Sequence, residues 1–355
     1  MNSKCQILEN KVSELVNRKY AISVSNGTNA LYLSLIAHGV GIGDEVLVSN
    51  FSWVSTASCI SLVGATPVFC DVDIDTYHMS MESIKKMHSP KVKAIIYPQL
   101  FGNMSNLNDV SKFCKEKNIL LVEDSCQSFG CKINNSYAGS LGDISTFSFN
   151  TNKIISGVTG GGMILTDDSY IAESIRKMSH HGSGEDFEFL GINARMSELD
   201  AESISNQLDN LDKTISEKRE LSRKYDDFFE PLPVIHQKFS EGLFSNHYRY
   251  TIRVHTKTIR DKFQNVFGFK VHYPKPISEN SMYKQLTHRK DSCPNAQLIC
   301  DTILTLPLDS PKEPVDELYR MLVEKIFTNP DWSESLPQGI MKEKLFNAVC
   351  DIATR

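Results

Sequence analysis

Through its first half the chain alternates short runs of strand character with stretches of helical spacing, and no other property restricts its fold as tightly. The pattern predicts strands at Glu45–Ser49 and at 67–71, 94–98, 119–123, 144–149 and 163–166. Helical spacing falls between them, as in Met81–Met87 and Leu107–Lys117. Alternation of this kind implies right-handed crossovers and an α/β fold with a mostly parallel sheet covered on both faces. In such sheets ligands gather at the carboxyl ends of the strands, so candidate residues are sought there first.

Near residue 197 the pattern changes. Ser197 with Asp200 makes a helix start, and Ile204, Leu208, Leu211 and Ile215 repeat at helical spacing. One long helix is expected to about Phe228, ended by Pro231-Leu232-Pro233. A smaller α+β lobe should follow, with a strand at 248–254 and helices at 259–267 and 315–326. The expected division is a large domain over 1–228, a small domain over 229–330 and a tail over 331–355.

Composition narrows the function. A net charge of −5 gives no electrostatic reason to expect nucleic acid or an anionic membrane as partner. No run of about 18 apolar residues occurs, and Met1-Asn2-Ser3-Lys4-Cys5-Gln6 lacks a signal-peptide core, so a cytoplasmic protein is expected. The nine cysteines include no CxxC pair, and Cys59 and Cys70 sit in apolar runs, which reads as reduced, packed thiols. No metal site is expected. His180-His181 is the only histidine pair, and adjacent residues are poorly placed to share one ion.

Three segments carry candidate chemistry. Asp124 stands where the strand Ile119-Leu120-Leu121-Val122-Glu123 emerges, facing the ligand crevice. Lys153 follows 29 residues later, after another strand and before Gly160-Gly161-Gly162. Ser25-Asn26-Gly27-Thr28-Asn29 opens a helix, and amides at a helix start form a phosphate site. Taken alone, each has an ordinary explanation: a cap, a surface lysine, a turn. Gly39-Val40-Gly41-Ile42-Gly43 follows a helix rather than a strand and reads as a turn, not a dinucleotide site. Together the three segments match the needs of pyridoxal 5'-phosphate (PLP). That cofactor requires an amine for covalent attachment, a carboxylate at its ring nitrogen and a phosphate cradle.

With these residues in place, the chain resembles the DegT/StrS family of sugar aminotransferases. The matching stretches include 25–31, Gly43-Asp44-Glu45-Val46, Gly64-Ala65-Thr66-Pro67-Val68-Phe69, 123–130, 139–153 and Gly191-Ile192-Asn193-Ala194-Arg195-Met196. The resemblance implies a fold-type-I PLP-dependent transferase, with a seven-stranded, mostly parallel sheet and a smaller C-terminal α+β domain. It implies that Lys153 holds PLP as a Schiff base and shuttles a proton, that Asp124 pairs with the pyridine nitrogen, and that Gln127 bonds the ring hydroxyl. Ser148, Gly27 and Thr28 would bind the phosphate, Trp53 would lie against the ring, and Asn193 would reach the phosphate of the partner in a homodimer with shared active sites. Two departures bear on the substrate. Only about twenty residues precede the phosphate turn, and Gly157-Val158-Thr159-Gly160 lacks the glutamate common before the paired glycines.

The implied activity is amino transfer from glutamate or glutamine to a nucleotide-linked keto-sugar. Asn150-Thr151-Asn152-Lys153-Ile154-Ile155 resembles members acting at carbon 4 of 4-keto-6-deoxy sugars. Two alternatives share the fold. Related PLP sugar dehydratases replace the Schiff-base lysine by histidine, whereas Lys153 is present here; a non-catalytic ligand sensor would not need Asp124, Gln127, Ser148 and Lys153 together.

Overall fold

The computed structural model describes residues 3–184, 186–230 and 234–308. Its helices are α1 (Lys4–Val16), α2 (Gly27–Ala37), α3 (Ser55–Leu62), α4 (Met81–Met87), α5 (Leu107–Lys117), α6 (Ser169–Met178), α7 (Glu198–Leu208), α8 (Leu211–Phe229), α9 (Lys257–Phe267) and α10 (Pro294–Thr302). The strands begin with β1 (Tyr20–Val24), β2 (Glu45–Ser49), β3 (Thr66–Cys70), β4 (Val92–Pro98), β5 (Leu120–Asp124), β6 (Lys132–Ile133) and β7 (Ser136–Tyr137). They continue with β8 (Ile144–Ser148), β9 (Gly162–Thr166), β10 (Ile235–His236), β11 (Leu243–Phe244), β12 (Tyr250–Arg253), β13 (Arg289–Lys290) and β14 (Ile303–Leu306).

The large sheet runs β1-β9-β8-β5-β4-β2-β3-β13. Only β9 is reversed, pairing antiparallel with β1 and β8 while the remaining neighbours are parallel. The seven strands expected from the resemblance are all present, and β13 is an eighth that the sequence pattern did not disclose. Alternate residues bury opposite faces. Val46, Val48, Ile96 and Val122 pack under α2 and α3, whereas Leu47, Ile95, Tyr97 and Leu121 pack with residues of α4 and α5. A third cluster joins Phe147, Met163 and Leu165 to α1, α7 and α8.

Both edges of the sheet are covered along part of their length. At β1, Ser23 N–H donates to the Glu9 carboxylate at 2.8 Å and Arg176 donates to the Ala21 carbonyl at 3.0 Å. At the other end β13 lies parallel to β3, and Arg289 pairs with Glu45. Residues beyond 229 thus return to the large sheet as well as forming the antiparallel sheet β10-β12-β14.

The helix expected to run unbroken from 197 to about 228 is two helices. Ser197 caps α7 as anticipated, its hydroxyl accepting from Asp200 N. The chain then leaves helical geometry at Asn210, where φ is −113° and ψ is 11°. Asp and Asn favour such breaks because their side chains compete for backbone partners. The break lets α7 pack on α1 while Tyr225 and Phe229 of α8 reach the core under β12 and β14. The expected helix at 315–326 and the tail lie outside the described residues, as does Pro231-Leu232-Pro233.

Candidate active site

The carboxyl ends of β5 and β8 and the amino end of α2 converge on one cavity of about 370 Å³. Its wall includes Gly27, Thr28, Trp53, Asp124, Gln127, Ser148 and Lys153, seven of the eight residues singled out from the sequence. Asn193 is not among them. It is exposed and forms a lone bridge with His180, next to Ala194, whose carbonyl accepts from Ser25 N at 2.7 Å.

Two missing side chains shape the phosphate turn. Gly162 of β9 faces Val24, and a Cβ there would collide with the backbone of Asn26. A Cβ on Gly27 would lie 2.9 Å from Ser148 Cβ and 3.0 Å from Cys126 Sγ. Glycine at both positions therefore lets the turn settle between the two strands. Asn26 caps α2 by accepting from Asn29 N, and Asn26 O accepts from Ala30 N. The amides of Gly27 and Thr28 find no acceptor among the described residues, so the helix start presents free donors to the cavity.

Asp124 ends β5 and is 7% exposed. Thr56 Oγ1 donates to Oδ2 at 2.8 Å, and Ser52 Oγ is 3.0 Å from Thr56. A buried acid held this way is fixed in position by α3. The preceding Glu123 plays a different part, pointing to the other side of the strand. There it accepts from Gln99 Nε2, Gly139 N, Leu141 N and Gly142 N.

Lys153 lies five residues beyond Ser148 in a turn closed by its own N–H to Asn150 O, 2.9 Å. The following loop is anchored on α7. Asp200 accepts from Thr159 N and Thr159 Oγ1, both at 2.8 Å, and Gln207 brackets Ser156 through its N–H and carbonyl. Lys153 Nζ stands 4.7 Å from the centre of the Tyr248 ring, and among the described residues no carboxylate pairs with it. Trp53 stands at the cavity wall but is 60% exposed. Gln127 accepts from Phe101 N at 2.9 Å and donates to Tyr273 OH at 2.8 Å.

Sequence reasoning missed Thr56, Tyr248, His272 and Tyr273 as cavity residues. His272 Nδ1 lies 2.9 Å from Thr305 Oγ1, and burial, aided by Arg249, Lys270 and Lys153, pushes the ring down to about 4. It is neutral near pH 7.

These features fit PLP. An anchored loop brings a lysine unpaired with any described carboxylate to the cavity, a buried carboxylate lies opposite, and a helix start offers two free amides beside Ser148. Among the described residues no His, Cys, Asp or Glu cluster is arranged to hold a metal, and no helix is long and apolar enough to cross a membrane.

Comparison with known proteins agrees with this geometry. The DegT/DnrJ/EryC1/StrS aminotransferase family model matches residues 2–318. The chain belongs to this family. It is 34% identical over 277 residues to GDP-perosamine synthase of Escherichia coli O157:H7, covering 77% of this chain and 75% of that one. It is 30% identical over 326 residues to a pleiotropic regulatory protein of Geobacillus stearothermophilus, covering 90% and 87%. Among solved structures, a DegT DnrJ EryC1 StrS aminotransferase from Brucella abortus superposes with a TM-score of 0.83 at 26% identity, covering 92% and 91%. As a DegT/DnrJ/EryC1/StrS protein the chain is a PLP-dependent aminotransferase with the fold-type-I architecture.

Proposed function

We propose that this aminotransferase moves an amino group from glutamate or glutamine to the keto carbon of a nucleotide-linked sugar, at carbon 4 of a 4-keto-6-deoxy sugar. In this reading it acts in the cytoplasm as a homodimer with shared sites, Asn193 of each chain serving the partner's phosphate pocket. One observation carries the catalytic part: Lys153 and Asp124 face the same cavity, next to the free amides of Gly27 and Thr28. The resemblance of Asn150-Thr151-Asn152-Lys153-Ile154-Ile155 to carbon-4 enzymes supports the position of amination. The exposure of Asn193, outside its own chain's cavity, supports the shared site.

When bound, PLP supplies an electron sink that stabilises negative charge on a carbon losing its proton. The chain's own groups do the rest. Gly27, Thr28 and Ser148 would bind the phosphate, and Asp124, held by Thr56, would keep the pyridine nitrogen protonated. Lys153 would attach the cofactor and then accept and return a proton at Nζ. Tyr248, itself buried, covers Nζ on one side. The name of the Geobacillus relative raises a ligand-sensing regulator as an alternative, and the complete set of Lys153, Asp124, Gln127 and Ser148 in one cavity favours catalysis.

The test is a panel of nucleotide-linked keto-sugars incubated with enzyme and either glutamate or glutamine, each labelled with nitrogen-15 at its α-amino group. Labelled amino-sugar is expected from a 4-keto-6-deoxy member of the panel. Protein that binds PLP yet labels no sugar from either donor would overturn the proposed donor and substrate.

A further inference from the structure

Gln127 and Tyr273 form a pair whose hydrogen-bond directions are determined by the backbone. The Phe101 N–H can only donate, so the Gln127 atom 2.9 Å from it must be the carbonyl oxygen Oε1. Turning the amide over would set two donors against each other. The Gln127 amine is therefore the end that meets Tyr273 OH at 2.8 Å, and it donates there. That bond occupies a lone pair of the phenol oxygen and turns the phenol's own hydrogen away from Gln127. Among the described residues this hydrogen finds no acceptor, although both side chains line the cavity.

The phenol is held firmly. Tyr273 stacks on Phe101 with ring centres 6.0 Å apart and meets Phe51 edge-on at 5.3 Å. Both Phe101 and Tyr273 adopt left-handed backbone geometry, φ 61° and 58°, which non-glycine residues keep only where the surroundings enforce it. Burial drives the Tyr273 phenol well above its ordinary range, so it keeps its proton. The charged groups around it are Asp124, Arg249 and Lys153, with His272 neutral. A second Gln127 N–H and the Tyr273 O–H thus remain as donors facing the cavity.

We propose that Tyr273 is a further cofactor-binding residue, its hydroxyl acting with the Gln127 amine as a two-donor cradle for the anionic ring oxygen of PLP. The assignment rests on the PLP reading of the cavity. It extends that reading to a residue contributed by the segment that pairs with β14 through Lys270 and Thr305. Removing one donor leaves the ring oxygen's charge less satisfied, so the bound cofactor holds its proton to higher pH. One hydrogen bond to a charged group corresponds to a shift of about one unit.

The experiment is a spectrophotometric pH titration of the loaded protein, comparing wild type with Tyr273→Phe. Phenylalanine keeps the ring stacking, so a merely structural role leaves the midpoint unmoved. The midpoint is expected to rise by about one unit, and an unchanged midpoint overturns the proposal. A second measurement does not depend on that variant folding. Gln127→Ala is titrated with PLP and with 3-deoxypyridoxal phosphate, which lacks the ring oxygen. Persistent preference for PLP, about tenfold, is expected because Tyr273 remains; equal binding of the two overturns the proposal. Wild-type protein that binds no PLP at all would instead remove the cofactor reading, and this inference with it.

Discussion

Replacing Gly27 with alanine tests whether the depth of the phosphate turn is set by a missing methyl group. The new Cβ lands 2.9 Å from Ser148 Cβ and 3.0 Å from Cys126 Sγ, distances that packed carbon and sulfur atoms do not tolerate. Overpacking of this kind costs about 1–3 kcal/mol. A stiffer unfolded chain returns about 0.4–1 kcal/mol, leaving a stability loss of about 1–2 kcal/mol. Strain relieved by lifting the turn appears instead as weaker phosphate binding, about tenfold per 1.4 kcal/mol, so PLP affinity should fall by about 10–100-fold. The assay is titration of cofactor-free protein with PLP, followed by quenching of intrinsic fluorescence. Ser148→Gly removes the nearest atom, so Gly27→Ala should cost less in that background than in wild type. Such non-additivity marks residues in direct contact. Equal losses in the two backgrounds, or wild-type affinity in Gly27→Ala alone, refute the steric account.

Asp124→Asn should retain the fold while turnover falls on the order of 10²–10³-fold, as for other single electrostatic stabilisers; a near-normal steady-state rate would reduce Asp124 to a structural partner of Thr56. Burial holds His78 at about 4, below its ordinary 6.5, so its neutral form contributes fully above pH 6.5 and that contribution is lost as the pH falls towards 4. The loss amounts to about 3 kcal/mol. Chemical denaturation between pH 7 and 4 should show this slope in wild type and a flatter one in His78→Gln. Mixing Asn193→Asp with Lys153→Ala under subunit exchange should restore roughly a quarter of wild-type activity, because half the dimers are mixed and each holds one intact site. No recovery despite verified exchange rules out the shared phosphate pocket.

The strands buried on both faces were readable because their continuous apolar runs end in turn residues, and their observed bounds differ from expectation by at most two residues. Tyr20–Val24 was not read; β1 is defined by pairing with β9, a long-range contact. The α7–α8 break was hidden because Leu208 and Leu211 keep helical spacing across it. Within the site, Asp124 was singled out from its place at a strand end and Lys153 from the loop before Gly160-Gly161-Gly162, whereas a role for Ser148 came only from the family resemblance. Thr56, Tyr248 and Tyr273 were not singled out, because each is far in sequence from Asp124 and Lys153 and only folding brings it to the cavity.

The two edges of the large sheet close at different moments in the life of the chain. Glu9 and Arg176 shield β1 as soon as the first 180 or so residues have been made. The edge at β3 waits for Arg289 and Lys290, which arrive more than two hundred residues after the strand they cover. Throughout that interval a nascent or truncated chain carries an unpaired row of backbone groups, the kind of template on which strangers add strands. Pro67 lies within β3 and removes one donor from that strand. Arg289 and Lys290 thus cover the β3 backbone at Val68 and Phe69 only once the chain has been made to residue 290.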